Sequence, residues 1–570
     1  MLASQFNGWD HEVPTGCFFR QVGRRFARLS LIKYNRHSFM KTISRPLFAL
    51  LTVLLFVSTS LGEIRFAGIF SDHMVLQREQ KVPVWGWGDV GEEVVVTMKG
   101  NSVGAKTDKN GRWEVQLPAM MAGGPFEIAA QGKTGAKISD VYVGEVWLCS
   151  GQSNMAMTVA RSLDFEKEQQ AADFPLIRQF KVAANATPEQ QSDCGGAWAV
   201  CNSETVGGFS AAAYFFARKL HQDLKVPVGI INSSWGGTDV AAWTSLKVQK
   251  EVSPLSKLID AFDVNVDSWD AKSAEDKYQK ALAAHKARVA QAKAAGKNPP
   301  RRGPRKPTNP ANDQNRPANL FNGMIHPLVR YSIRGAIWYQ GERNSKTIES
   351  GQLYETQLNL MITDWRSRWQ QGDFQFITVQ LPNFKPPQVN PVETDGWVMV
   401  RESELRTLRL KNTGIAITVD VGMEKDIHPK NKQAVGQRLA LWALGTTYKR
   451  DIVYSGPLYS SQQIRLSSKN AAGKERPGAV TLHFDHVGDA LKTSDGEKLR
   501  GFAIAGEDRQ FYPGSAYIRD DGTVMVSSPK VPTPVAVRYG WAPNPDCNLV
   551  NAAGLPASPF RTDRWAFDQK

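Results

Sequence analysis

Val143-Gly-Glu-Val-Trp-Leu-Cys-Ser-Gly-Gln-Ser153 is the stretch of the 570-residue sequence that decides the fold. Residues 143–148, which are apolar except for Glu145, form a run typical of a buried strand, and the run leads directly into Ser150-Gly-Gln-Ser153. A serine at a strand end, in a tight turn that opens toward a helix, exposes its hydroxyl and gathers backbone N–H groups around it. Ser153 is therefore a candidate nucleophile, although a glycine two residues before a serine is weak support by itself.

Downstream of Ser153 the sequence alternates between helical and strand patterns. Helical periodicity covers residues 209–224 and 433–444, and apolar strand patterns cover residues 227–231, 333–338, 374–380 and 414–420. Strands that alternate with helices predict a parallel sheet with helices on both faces. In such sheets, ligands bind at the carboxyl ends of the strands.

The segments on either side of this core have a different sequence pattern, with short strands and no helical periodicity. Residues 63–140 consist of short strand patterns, such as Val82-Pro-Val-Trp-Gly-Trp87, separated by glycine and Asp/Asn turns. This spacing predicts a small antiparallel sandwich. The strand pattern returns in residues 451–570, which we interpret as a second β-domain. The predicted fold is thus an α/β core over residues 141–450, interrupted by an insertion and flanked by two all-β domains.

The charge of the chain is concentrated in two places. The composition is globular, with 42% hydrophobic and 22% charged residues, and the formal net charge is +15. Residues 1–62 contribute +6 and residues 272–306 contribute +9, so the remainder is neutral. A basic field confined to a leader and one insertion does not support nucleic-acid binding by the folded body. We expect no nucleic-acid partner, and the sequence indicates no particular oligomeric state.

The basic insertion interrupts the core at residues 250–315. A thin apolar stripe runs along an Ala/Lys-rich helix, and it consists of Tyr278, Leu282, His285 and Val289. The proline-rich residues 299–307 that follow cannot be helical. We interpret the insertion as a solvated helical hairpin arm with a proline-rich tail. Adhesion to acidic polysaccharide or to another anionic surface is the alternative.

The amino-terminal leader has the organisation of a signal peptide. Lys41 and Arg45 precede an apolar run over residues 47–57, and small residues follow at Ser58, Ser60 and Gly62. The run is too short to span a membrane. We predict translation from Met40, cleavage near Glu63, a secreted or periplasmic protein and no membrane span after cleavage. Exported protein that begins at Met1 on N-terminal sequencing would contradict this prediction.

Two cysteines of the core lie close together in the sequence. Cys194 and Cys201 are seven residues apart, around Gly195-Gly196. In an oxidising compartment this spacing allows a small disulfide, whereas lone buried thiols are equally common. The sequence shows no spacing of histidines and cysteines typical of a metal site.

Three further segments place polar residues behind strands of the same predicted sheet. Gly236 and Gly237 follow the strand at 227–231, and glycines there let the backbone approach a ligand. Trp338-Tyr-Gln340-Gly-Glu342 ends the next strand, and Asp426-Ile-His428-Pro429 follows the strand that ends near Asp420. Nucleophilic acyl transfer needs a serine, backbone N–H groups close to the reacting atoms, and an Asp/His pair, and an amide side chain can add a further donor. The sequence predicts all of these groups at one edge of the sheet.

These residues resemble the sialate O-acetylesterase family of the SGNH (GDSL-like) hydrolases. The resemblance covers roughly residues 63–570 apart from the insertion, and its motifs lie at residues 70–77, 144–155, 209–216, 320–327, 338–342, 426–429 and 537–541. It implies an SGNH-type α/β/α three-layer core that cleaves O-acetyl esters of sugars, typically acetylated sialic acid. It also implies catalysis without a metal or an organic cofactor.

The resemblance also implies roles for individual residues. Ser153 would be the nucleophile, His428 the general base and then the acid, and Asp426 the group that orients His428. The oxyanion donors would be the backbone N–H of Ser153, a glycine of the Gly236-Gly237 pair and the side-chain amide of Gln340. Candidate substrate-binding residues are Asn154, Trp235, Trp243 and Arg401.

One departure from the family pattern leaves the orienting acid open. Many SGNH hydrolases carry Asp-x-x-His, whereas Asp426 stands two residues before His428 and Lys425 occupies the position three residues before it. Glu342 is therefore the alternative acid.

The substrate also stays open at this stage. An esterase acting on acetylated xylan or another polysaccharide shares the whole catalytic argument. A glycan-binding module without activity is the alternative from a different class, and the retention of Ser153, Gln340, Asp426 and His428 argues against it.

Overall fold

The structure, a computed structural model, describes residues 63–469 and 475–567. The predicted upstream extension and signal peptide in residues 1–62 lie outside the described residues. Among the residues that the structure describes, every helix is too short or too polar to span a bilayer.

The amino-terminal part is built of strands, as the turn spacing predicted. The strands are β1 (Arg65–Phe66), β2 (Val75–Gln77), β3 (Val82–Trp87), β4 (Glu93–Met98), β5 (Asn101–Lys106), β6 (Arg112–Leu117), β7 (Gly123–Gln131) and β8 (Gly135–Gly151). In β4, Val94, Val96 and Met98 are buried while the residues between them are exposed, so one face of the strand supplies a core.

Strand β8 connects this β-rich part to the core. Its 17 residues pair antiparallel with β7 in the first half, and residues 145–151 pair parallel with two core strands. The predicted boundary between residues 140 and 141 therefore falls inside one continuous strand. Because a strand gives no turn signal where its partners change, the sequence pattern did not reveal this continuity.

The core alternates strands and helices. Its elements are α1 (Ser153–Ala156), α2 (Phe165–Gln170), β9 (Phe174–Val182), β10 (Gly196–Cys201), α3 (Ala211–Leu224), β11 (Val228–Ser234), α4 (Leu246–Lys250), α5 (Ser253–Asp267), α6 (Ala271–Ala294), β12 (Gly335–Tyr339), α7 (Ile348–Trp369), β13 (Gln375–Val379), α8 (Gly396–Arg406), β14 (Thr413–Ala416) and α9 (Lys432–Trp442). The sheet order is β10-β9-β11-β8-β12-β13-β14, and all neighbours are parallel except the edge strand β10.

Helices cover both faces of this sheet. Successive residues of a strand point to opposite faces. Val146 and Leu148 pack in one cluster with α7, whereas Trp147 and Cys149 pack in a second cluster with α3 and α9. The predicted α/β class is therefore confirmed.

Two local predictions differ from the structure. The strand predicted over residues 414–420 ends at Ala416, because the chain then turns and Val421 donates its backbone N–H to Thr418. The cysteines Cys149, Cys194, Cys201 and Cys547 are all free thiols, so the disulfide between Cys194 and Cys201 is absent. The two thiols belong to different apolar clusters: Cys194 packs against the one that contains α7, and Cys201 lies in the one that contains α3.

The insertion forms helices α5 and α6, followed by irregular chain. No residue of α6 is fully buried, and Tyr278, Leu282, His285 and Val289 are half-buried. The end of the insertion returns to the core, where Gln314 donates to the carbonyl of Gly236 at 3.2 Å.

The carboxyl-terminal part is again made of strands. They are β15 (Leu458–Arg465), β16 (Ser468–Lys469), β17 (Glu475–Arg476), β18 (Ala479–Asp485), β19 (Leu491–Thr493), β20 (Phe502–Ala505), β21 (Phe511–Pro513), β22 (Ser515–Ile518), β23 (Val524–Ser527), β24 (Ala536–Tyr539), β25 (Leu549–Asn551) and β26 (Phe560–Arg561). Two antiparallel four-stranded sheets, β15-β18-β23-β22 and β21-β20-β24-β26, enclose an apolar cluster of their own.

Candidate active site

Ser153 lies at the first position of α1, just past the carboxyl end of β8. Strand β8 ends at Gly151, whose φ of 138° favours glycine, and a Cβ there would collide with the carbonyl oxygen of Tyr339. Gln152 donates its backbone N–H to the same carbonyl at 3.0 Å. This tight passage between β8 and β12 turns the chain so that Ser153 is left half-buried at the rim of the sheet.

His428 reaches Ser153 from the loop between β14 and α9. Ser153 Oγ and His428 Nε2 are 2.9 Å apart, a hydrogen-bond distance. The other ring nitrogen, Nδ1, lies 3.5 Å from Asp426 Oδ1, and the same oxygen accepts the backbone N–H of His428 at 2.9 Å. The structure thus brings together the serine, the histidine and the aspartate that the strand-end pattern singled out.

The surroundings keep the His428 imidazole neutral near pH 7. Burial lowers its pKa below the ordinary value of 6.5, because desolvation disfavours the charged ring. The carboxylate of Asp426 opposes this shift and raises the pKa, whereas the nearby Lys432 and Arg161 lower it. A neutral imidazole can accept the proton of a hydroxyl.

Gly236, the first residue of the glycine pair after β11, lies against Ser153. A Cβ built on Gly236 would stand 3.3 Å from Ser153 Cβ, so the backbone of this loop passes close to the hydroxyl. Gly237 has a φ of 72°, in the left-handed region that favours glycine. The loop is fixed by Trp235, which donates its backbone N–H to the carbonyl of Gly151 at 3.1 Å.

The contacts of Gln340 do not fit the predicted role as an oxyanion donor. Its side chain is fully buried, and its amide nitrogen has three protein acceptors: Gln152 Oε1 at 3.2 Å, the Thr238 carbonyl at 2.9 Å and Asn344 Oδ1 at 2.8 Å. Two N–H groups shared among three acceptors leave none for an oxyanion. Gln340 instead ties the segment before Ser153 to the loop after β11.

Asn154 is also no substrate ligand, because it is buried in a network with two charged side chains. Its Nδ2 donates to Glu342 Oε1 at 2.5 Å and to the carbonyl of Ile427 at 3.0 Å. Its Oδ1 accepts from Lys432 Nζ at 2.7 Å, and the same ammonium donates to the carbonyl of Pro429 at 2.8 Å.

Burial pushes both charged groups of this network toward neutrality. It raises the pKa of Glu342 and lowers the pKa of Lys432 to about 7. Each charge partly offsets the shift of the other. Glu342 bonds to Asn154 and has no hydrogen bond to His428, so Asp426 is the carboxylate next to the imidazole.

Two of the predicted pocket residues are structural. Trp243 is fully buried, donates to Thr238 Oγ1 at 3.0 Å and packs edge-on against Trp338. The guanidinium of Arg401 donates to four backbone carbonyls, those of Leu381, Pro382, Ala542 and Pro543, which joins α8 to the carboxyl-terminal part. Both predictions are wrong, because the sequence does not reveal whether a side chain points into the cleft or into the core. Trp235 is half-buried and stays a candidate.

Sequence reasoning missed Lys432, Gln152 and Asn344. Lys432 opens α9, which starts there because Asn431 Oδ1 accepts the N–H of Ala434. The only signal was its place four residues after His428, which does not set it apart from other lysines. Within residues 63–469 and 475–567, no group of His, Cys, Asp and Glu side chains is arranged to hold a metal ion.

Comparison with known proteins identifies carbohydrate esterases as relatives of this chain. Residues 314–444 match the family model for carbohydrate esterases described as sialic acid-specific acetylesterase. The sialate O-acetylesterases of mouse and human are each 28% identical over 563 residues, which cover 90% of this chain and 97% and 95% of the relatives. A solved structure, a carbohydrate acetylesterase from Xanthomonas citri, has a TM-score of 0.73 and 35% identity, and the match covers 88% of this chain and 100% of that chain.

The α/β fold and these matches define a carboxylic ester hydrolase. More particularly, the chain belongs to the sialate O-acetylesterase family of carbohydrate esterases.

Proposed function

We propose that the protein is an exported carbohydrate O-acetylesterase that removes acetyl groups from sugars, with O-acetylated sialic acid as its substrate. The observation that carries the proposal is the 2.9 Å contact between Ser153 Oγ and His428 Nε2 at the carboxyl end of the parallel sheet. The sialic acid-specific description of the matched family supports the choice of sugar. The leader pattern of residues 41–62 supports export.

The proposed reaction passes through acetyl-Ser153. The Ser153 hydroxyl attacks the acetyl carbonyl carbon while His428 Nε2 takes its proton. The bond between the carbonyl carbon and the sugar oxygen then breaks, and His428 returns the proton to that oxygen. Water attacks the acetyl-enzyme, gives a proton to His428, and acetate leaves as Ser153 regains its hydrogen. Asp426 stabilises the imidazolium formed in each half-reaction.

Backbone donors would stabilise the oxyanion. We assign this role to the N–H groups of Ser153 and of Gly236 or its neighbour Gly237, because the backbone of Gly236 lies beside Ser153 and Gln340 has no free donor. We also propose that the core is of the SGNH type, which the parallel order β9-β11-β8-β12-β13-β14 supports.

A Gly236→Ala variant tests the assignment of this loop. The added methyl group would stand 3.3 Å from Ser153 Cβ, so the loop or the serine must shift by a few tenths of an ångström. We expect kcat/KM for an acetylated sugar to fall about tenfold, since small displacements at a reacting centre are costly. Gly208→Ala is the matched control, because a methyl group there meets open space. Equal activity of the two variants would contradict the assignment.

The pH dependence of the reaction should follow His428. Its pKa lies below 6.5, so kcat/KM is expected to be constant near neutral pH and to fall on acidification, with a midpoint below 6.5. Protonation of the imidazole removes the general base, which sets the direction of the change. A profile of kcat/KM against pH checks this, and a midpoint above 6.5 would contradict it.

The substrate is tested by acetate release from a panel of esters. The panel contains O-acetylated sialosides, acetylated xylan, a second acetylated polysaccharide and a small chromogenic acetate as the common reference. We expect kcat/KM to be at least about tenfold higher for the sialosides than for xylan, which corresponds to about 1.4 kcal/mol of selective transition-state binding. A preference for xylan would keep the reaction and replace the substrate. Binding of sialosides without release of acetate would refute the reaction.

A further inference from the structure

We infer that Asn154 and Lys432 form a buried clamp that positions His428 against Ser153. The inference rests on the proposed roles of Ser153 and His428 and adds residues that act through them. Neither clamp residue touches the reacting atoms in this arrangement, so both are positioning residues.

The clamp holds the backbone on both sides of the histidine. Asn154 Nδ2 donates to the carbonyl of Ile427 at 3.0 Å, and Lys432 Nζ donates to the carbonyl of Pro429 at 2.8 Å. In a third hydrogen bond, 2.7 Å long, Lys432 Nζ donates to Asn154 Oδ1, so the two clamp residues are also bonded to each other. Because Asn154 directly follows Ser153, the segment that carries the base is tied to the residue next to the nucleophile.

His428 needs such support because it lies outside the regular elements. It stands in the loop between β14 and α9, and a general base must be held within a few tenths of an ångström of the productive position. A displacement of about 1 Å can cost about 100-fold in rate. No strand or helix hydrogen bonds fix the 427–429 backbone, and the bond from the His428 N–H to Asp426 Oδ1 lies within the same loop. The two side-chain donors therefore tie this loop to α1 and α9.

The choice of a lysine adds an electrostatic effect. Lys432 is fully buried, and its ammonium faces Glu342 through Asn154 and lies 5.1 Å from the centre of the Tyr339 ring. Burying a cation is costly unless opposite charge and acceptors offset the loss of hydration. The charged groups that act on His428 are Asp426, which favours the imidazolium, and Lys432 and Arg161, which disfavour it. Lys432 therefore also helps to keep the base neutral.

Replacement of Lys432 distinguishes a role in positioning His428 from a role in stabilising the fold alone. Lys432→Met keeps much of the volume but removes the donor and the charge, and Lys430→Met is the matched control, since Lys430 is exposed in the same loop. We expect Lys432→Met to lower kcat about 10- to 100-fold with little change in KM, and to move the acid midpoint of the profile to higher pH. A variant with the activity and the midpoint of the control would overturn the inference. A loss of stability alone, with both kinetic readouts unchanged, would do the same.

Two further measurements keep the test decisive. If Lys432→Met does not fold, Asn154→Asp removes the donor to Ile427 at constant volume and is expected to lower kcat in the same range. Labelling of Ser153 by a fluorophosphonate reports the activated serine without any sugar, and it should slow in parallel with kcat. Fast labelling of wild-type protein that deacetylates no sugar would refute the proposed substrate and leave the clamp testable. Absence of labelling at Ser153 would refute the proposed reaction itself.

Discussion

A Ser153→Ala variant is expected to lose about 10⁴- to 10⁶-fold in kcat for an acetylated sugar. The substitution removes the only atom that the proposed reaction acetylates, while the half-buried side chain contributes little to packing. The fold should survive, because the methyl group of alanine fits where the serine Cβ already lies. Acetate release under single-turnover and steady-state conditions measures the loss.

The covalent intermediate gives this prediction a second readout. Wild-type protein quenched during turnover should carry one acetyl group on the peptide that contains Ser153, and the variant should carry none. Ser203→Ala is the control, because Ser203 is exposed and lies outside the site. Full activity of the Ser153→Ala protein would show that another group performs the attack. Loss of activity with retained sugar binding would exclude the interpretation as a binding module without catalysis.

The alternation of strands and helices made the core predictable. Residues 143–148 and 227–231 are apolar apart from Glu145, as buried parallel strands favour, and residues 143–148 lie in β8 and residues 228–231 in β11. The continuity of β8 through residue 141 was not predictable, because its change of partners leaves no mark in the residues themselves. Partner strands are chosen by tertiary packing, which a single sequence does not display.

In the candidate site, too, local sequence pattern predicted some features and tertiary packing decided the others. Ser153, Gly236, Asp426 and His428 were found because each follows a strand of one sheet, and parallel strands end at one edge. The position of Gln340 at that edge was also right, but the direction of its side chain depends on Thr238 and Asn344, which come from other segments. Lys432 and Asn154 were missed as partners because 278 residues separate them in the chain. Position along a strand is thus a local property, whereas contacts between loops are not.

Either Asp426 or Glu342 could be the acid that orients His428, and an Asp426→Asn variant should decide between them. Asp426 Oδ1 lies 3.5 Å from His428 Nδ1, and such contacts in enzymes without substrate often tighten when substrate binds. Loss of the carboxylate removes the charge that stabilises the imidazolium and leaves the ring tautomer unfixed. We expect kcat to fall about 10²- to 10⁴-fold, where the upper value is that of a fully buried triad aspartate and Asp426 is nearly half exposed.

Glu342→Gln is the matched comparison, because it also exchanges a carboxylate for an amide. Glu342 reaches the site only through Asn154, and burial already raises its pKa toward the neutral form. Its replacement should therefore cost about tenfold or less in kcat, through the clamp rather than through the imidazole. The two variants should also differ in pH dependence. Asp426 raises the pKa of His428, so Asp426→Asn should move the acid midpoint to lower pH. A larger loss in Glu342→Gln, with Asp426→Asn close to wild type, would transfer the orienting role to Glu342.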